Sequence, residues 1–152
     1  MAEITDEITA LRDLVADVGF TKIRLAHLPD KYTAGELSIR YQGDDVTSET
    51  GYHYRLDREY QFVFFGTSER DVISYASKVQ RRLNSVFKLK IGTADESGYM
   101  TLGSFSCSQP FKAEDNVSIY GIIGVLQAEV REARYFTQSP KISGIETDVT
   151  EN

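Results

Sequence analysis

The stretch YQFVFFGTSERDVISYASKVQRRLN, residues 60–84, contains a complete handover from strand to helix. Tyr60, Phe62 and Phe64 alternate with Gln61 and Val63, the period of a strand. Val63 and Phe65 make the end of that strand apolar on both faces, as in a strand covered on both sides. Gly66 closes it. Ser68 and Asp71 then form a variant of the capping box, with Asp in place of the usual Glu. Glu69 and Asp71 stand in the first turn and Arg81 and Arg82 in the last, each favourable to the helix dipole. Val72, Tyr75, Ala76, Val79 and Leu83 form one apolar stripe. The stretch predicts a helix over 68–84 whose stripe packs on the sheet face carrying Tyr60, Phe62 and Phe64.

A strand–glycine–helix junction is also where many enzymes hold a phosphate. A phosphate loop needs several glycines and a Lys-Ser/Thr pair, so that backbone amides and an ammonium surround the anion. GTSERD has one glycine and no lysine, and it places Glu69 and Asp71 where phosphate would sit. The junction reads as a capped helix start.

Working outward, Ile4, Ile8, Leu11, Val15 and Val18 recur at helical steps and predict an N-terminal amphipathic helix, with Asp6, Glu7, Arg12, Asp13 and Asp17 largely off the stripe and Gly19 as its stop. TKIRLAHLP (21–29), GELSIRY (35–41) and YHYRLDREYQFVFFG (52–66) alternate as strands. QGDDVTSETG (42–51) between the last two has no apolar period and reads as a long loop. After the helix, SVFKLKIG (85–92) and YMTLGSFS (99–106) are short strands flanking the turn TADESG, the second loosened by Gly103. VSIYGIIGVLQAEVREARYF (117–136) is a long strand in preference to a helix, although its Ala, Glu and Arg content permits helix. Ile119, Val125, Gln127, Glu129 and Arg131 share no apolar face, which predicts a bulge near Gly121 or Gly124. TQSPKISGIETDVTEN (137–152) is polar, with isolated Ile142, Ile145 and Val149. The expected organisation is one α+β domain over 1–136 in the order α-β-β-β-α-β-β-β, its antiparallel or mixed sheet carrying two helices mainly on one face, and a polar tail over 137–152.

Composition bounds the function. The chain has 152 residues, 41% hydrophobic and 26% charged, which suits a single globular domain. No apolar run approaches the ~20 residues of a membrane span, and MAEITDEITAL is too acidic for a secretory signal. A formal charge of −6 argues against a dedicated nucleic-acid binder. Cys107 is the single cysteine, so no intrachain disulfide can form.

Catalytic constellations are missing from the pattern. His27 and His53 are the two histidines, and neither stands in a metal-binding pair or beside a nucleophile. Nothing basic flanks Cys107 to lower its pKa. The acidic pairs Asp44/Asp45 and Asp95/Glu96 fall in turn-like segments, where neighbouring carboxylates are solvated and not held at a catalytic separation. No metal, cofactor or enzymatic activity is expected.

The amphipathic first helix, KIRLAHLP, the Tyr/Arg-rich YHYRLDREYQFVFF, the helix SERDVISYASKVQRRLN and the closing strand YGIIGVLQAEVREARYF together resemble the small tail-terminator and minor capsid (head–tail joining) proteins of long-tailed bacteriophages. The likeness lies in element order, size and the style of these stretches, and covers roughly residues 4–136. It implies a structural virion protein, found in the host cytoplasm during assembly. Such a subunit self-associates into a ring, commonly hexameric, at the head-proximal end of the tail tube. Its partners are the tail tube protein and the head connector, no membrane is involved, and DNA passes through without specific binding. The resemblance further implies that a loop bearing Asp44, Asp45 and Glu49 faces the lumen or the connector, and that Ile142, Ile145 and Val149 anchor an assembly arm. Residues beyond Phe136 and the generous 42–51 segment exceed a minimal version. Nine Tyr and eight Phe fit an interface, where Tyr offers apolar area with a hydroxyl, and fit a wet core equally. A small ligand- or peptide-binding module, with its pocket between helix 68–84 and the sheet, and a small hydrolase using Cys107 or a carboxylate are the competing readings.

Overall fold

The computed structural model describes residues 3–26, 28, 33–92, 98–112 and 119–133. In chain order these form helix α1 (Ile4–Val15), strands β1 (Lys22–Leu25), β2 (Glu36–Ser48) and β3 (His53–Gly66), helix α2 (Glu69–Asn84), and strands β4 (Lys88–Lys90), β5 (Tyr99–Cys107), β6 (Phe111–Lys112) and β7 (Tyr120–Ala133). The strands make one sheet in the order β1-β2-β3-β7-β5-β4, with the two-residue β6 paired to β7. β1 runs parallel to β2 and every other pairing is antiparallel. The α+β fold with a mixed sheet is the one expected, with β6 as an addition.

Both helices cover one face. Ile8, Leu11, Leu14 and Val15 of α1 and Val72, Ala76, Val79 and Leu83 of α2 meet Leu37, Ile39, Tyr60, Phe62, Phe64 and Leu126 in the main core. Tyr75 is half-buried and stacks on Phe20, with ring centroids 4.7 Å apart. The α2 stripe and its sheet face are thus those the periodicity predicts. α1 gives way to a 3-10 turn over Ala16–Val18, and Gly19 stops it at φ 113°, a left-handed conformation that glycine adopts without a Cβ penalty. The opposite face carries a second, smaller cluster at one end only. Val63, Phe65 and Ile119 pack there with Leu28, Phe111 and Ile123, which explains why the end of β3 is apolar on both sides.

Three expectations are corrected. The polar run after Tyr41 is strand, not loop: β2 continues to Ser48, paired with β3 as far as Ser48↔Tyr54, with a register shift between Tyr41 and Gly43. Asp44 and Asp45 therefore lie on a strand, and Glu49 begins the turn that follows. In β7, pairing with β3 runs without a shift from Gly66↔Tyr120 to His53↔Ala133, so the predicted bulge is absent. The odd-numbered residues of β7 do share a face. That face is covered at Ile119 and Ile123 by the second cluster and open at Gln127, Glu129 and Arg131. Gly121 and Gly124 make room for rings instead: a Cβ there would meet Phe111 Cζ at 2.7 Å and Phe105 Cζ at 2.5 Å. The register shift on this side lies in β5, between Leu102 and Phe105. Lastly, Glu7 is 0% exposed, although its position looked like surface.

Candidate assembly surface

The Gly66 junction is filled by its own side chains. Ser68 Oγ accepts from the Asp71 amide at 3.1 Å, and Asp71 Oδ2 accepts from the Thr67 amide at 3.0 Å. A Cβ on Gly66 would stand 2.7 Å from Asp71 Oδ2 and 2.9 Å from Val72 Cγ1. Glycine is required because the helix start folds back onto the strand end. The Asp71 carboxylate takes the Thr67 amide and Ser68 Oγ the Asp71 amide, so neither is left to face a phosphate.

Glu7 explains its own burial. Arg58, on the helix-facing side of β3, donates from Nε to Glu7 Oε1 at 3.1 Å and from Nη2 to Glu7 Oε2 at 3.3 Å. The Tyr60 hydroxyl donates to the same Glu7 Oε1, and Arg58 Nη1 donates to Asp44 Oδ2. A bidentate arginine and a phenol satisfy a carboxylate that could not be buried alone. Burial first, and then the hydrogen bond to Glu7, hold the Tyr60 phenol well above its ordinary pKa, so Tyr60 remains a donor at any physiological pH. The network ties α1 to β3 and, through Asp44, to β2.

The three carboxylates Asp44, Asp45 and Glu49 are consequently held differently. Asp44 belongs to the helix-facing network. Glu49 sits at the hairpin turn and accepts from Arg131 at 3.0 and 3.2 Å, with Arg55 at 3.7 Å. Asp45 lies on the opposite face, the side to which Arg131 and Arg55 draw the Glu49 carboxylate, and Asp45 has no hydrogen bond or ion pair among the described residues.

That opposite face was not foreseen as a surface. Register places Asp45, Asp57 and Glu129 directly across from one another on β2, β3 and β7, with Thr101 of β5 next in the row. Glu59 and Gln127 form the adjacent row. Like charges directly opposite in a sheet destabilise it. Arg55 offsets part of the cost, donating to Asp57 at 2.9 and 3.2 Å, and Arg131 lies 3.4 Å from Glu129. Glu59 has no such partner among the described residues. These side chains line a cleft of about 830 Å³ that runs from Gly43 to Ser104 and is flanked by Phe87, which is 72% exposed. At the bulge Gly103 lets β5 approach β7, since a Cβ there would meet the Gln127 carbonyl oxygen at 2.8 Å. The pocket imagined between α2 and the sheet does not fit this arrangement. Phe62, Phe64, Phe20 and Tyr75 fill that space, and the cleft lies on the other side.

The remaining candidates carry no chemistry of their own. Cys107 is half-buried, burial raises its thiol pKa, and Gln80 Nε2 stands 3.7 Å from its Sγ. His53 is exposed at the start of β3. His27, Asp95, Glu96, Ile142, Ile145 and Val149 lie outside the described residues. Among the described residues no three His, Cys, Asp or Glu side chains are grouped to hold a metal ion, and no helix is long and apolar enough to cross a membrane.

No protein-family model and no curated protein matches the chain. Among solved structures, a chain from the virion of a native gene transfer agent particle aligns with a TM-score of 0.42 and 16% identity, over 80% of this chain and 84% of that one. The type 4 fimbrial biogenesis protein PilO from Pseudomonas aeruginosa aligns with a TM-score of 0.35 and 10% identity, over 87% of this chain and 70% of that one. Likenesses of this strength bear on neither mechanism nor partners.

Proposed function

We propose that the chain is a structural, non-enzymatic subunit of a tailed-phage type of particle: a tail terminator that closes the head-proximal end of the tail tube as a ring and meets the head connector. The observation that supports this most is the open edge of β2. β1 pairs with β2 over Glu36–Ile39, four of its thirteen residues. From Arg40 to Thr47 no strand lies on its outer side among the described residues. An uncovered edge invites pairing with another chain. Here the register shift at Tyr41/Gly43 and the carboxylates of Asp44 and Asp45 restrict that pairing to a complementary partner. Val46, 63% exposed, and Tyr52, 73% exposed, give the same hairpin apolar contact area.

In this reading the β2–β3 hairpin faces the lumen or the connector. Asp45 is its available carboxylate, because Asp44 is held by Arg58 and Glu49 by Arg131 and Arg55, and it repels DNA phosphate within a Debye length of ~8 Å at physiological salt. The stretch 137–152 serves as an arm, anchored on a neighbour by Ile142, Ile145 and Val149. Deleting the chain from a genome that produces particles tests the reading. The expected result is filled heads without tails and tails of uncontrolled length in negative-stain micrographs; complete particles at normal yield would overturn it. In the same genome, truncation after Phe136 tests the arm and Asp45→Lys with Glu49→Lys tests the hairpin. Normal titres from either variant would remove that role.

A further inference from the structure

The charges of this molecule are sorted by face. On α2 the residues farthest from the buried stripe are Arg70, Ser74 and Arg81, flanked by Lys78 and Ile73. Arg70, Lys78 and Arg81 make no ion pair or hydrogen bond among the described residues, and Ile73 is 52% exposed. In a chain of net charge −6, this helix face is basic. The back of the sheet is the reverse: Asp45, Asp57, Glu59 and Glu129 outnumber Arg55, which pairs with Asp57, and Arg131, 3.4 Å from Glu129, and Phe87 stands beside them. Each face thus offers unbalanced charge next to one exposed apolar side chain, and the signs are opposite. The spacing agrees as well: Lys78 and Arg81 differ by about 4.5 Å along the helix axis, and Asp57 and Glu129 stand on adjacent strands about 4.8 Å apart.

We infer that the outer face of α2 docks into the acidic cleft of a second copy of this chain, with Lys78 and Arg81 meeting Glu59, Glu129 and Asp57, and Ile73 approaching Phe87. The two surfaces lie on opposite sides of one protomer, so the contact is head-to-tail, the type that closes into a ring or continues as a filament. The inference rests on the proposed self-assembly and specifies its interface; it needs neither a tail nor a phage.

The test uses two variants of the full chain, each reversing one face. Lys78→Glu with Arg81→Glu makes the helix acidic, and Glu59→Lys with Glu129→Lys makes the cleft basic. All four positions are at least partly exposed, so both variants are expected to melt with the wild type. Sedimentation at low salt is expected to give a multiple of 17.1 kDa for the wild type and 17.1 kDa for each variant alone. An equimolar mixture is expected to regain the wild-type mass, because alternating copies restore opposite charge at every contact. Folded variants that retain the wild-type mass, or a mixture that stays monomeric, would overturn the inference. A helix variant of unchanged mass that loses retention on a DNA duplex would instead assign the basic face to nucleic acid. Loss of assembly in the variants of a chain whose deletion leaves particles intact would retain this interface and remove the tail role alone.

Discussion

Replacing Glu7 with alanine is expected to destabilise the protein by about 3–5 kcal/mol, the usual cost of removing one partner of a buried ion pair. Arg58 would keep its charge in a site that excludes water, with only Asp44 at the rim to balance it, and the Tyr60 hydroxyl would lose its acceptor. Against a total stability of about 5–15 kcal/mol, one substitution would bring the fold near its limit. The triple change Glu7→Leu, Arg58→Met and Tyr60→Phe is expected to recover most of the loss, since a buried ionic network exchanged as a whole for apolar side chains of similar size is often neutral. Urea unfolding of the three proteins measures both effects. A loss below about 1 kcal/mol for Glu7→Ala would mean that the network is worth no more than a surface pair.

Phe64→Ala carries the second large effect, about 3–5 kcal/mol for a buried aromatic. Phe64 is fully buried at the centre of the sheet. Its ring lies 6.0 Å from Phe20, 6.5 Å from Phe62 and 6.4 Å from Phe105. The cavity would open between α2 and β3, where the surrounding rings have fixed positions and cannot collapse into it. Thermal unfolding at a shift of about 2–4 °C per kcal/mol for a domain of this size reads the effect. An unchanged melting temperature would mean that the helix layer does not rest on this face.

These two positions were unequally legible. Phe64 was plain from alternation, because its strand and the α2 stripe each carry a local period. Glu7 was not, since a glutamate on a helix ordinarily faces water, and its partners stand 51 and 53 residues away. One sign was available. Leu56, Arg58, Tyr60, Phe62 and Phe64 share a parity in β3, and a charged residue within a buried parity needs a partner of opposite sign. The polar half of β2 is hidden from the sequence pattern for a related reason. QGDDVTS has no period of its own, and it is strand because β3 supplies its hydrogen bonds and Arg58 a partner for Asp44. The acidic back face falls between these cases. Parity alone puts Arg55, Asp57 and Glu59 on one side of β3, but no sequence pattern discloses that Asp45 and Glu129 stand opposite Asp57. The glycines of β7 suggested a bulge when they in fact receive the rings of Phe105 and Phe111, a contact set by tertiary packing.

The most direct test of the assembly reading is the sedimentation-equilibrium mass of the purified wild-type chain, followed across concentration and across salt from about 0.05 to 0.5 M, a range over which the Debye length shortens roughly threefold. A ring-forming subunit with opposed charged faces is predicted to show a discrete multiple of 17.1 kDa at low salt that falls toward 17.1 kDa as salt rises. A mass of 17.1 kDa at every concentration and every salt would contradict it.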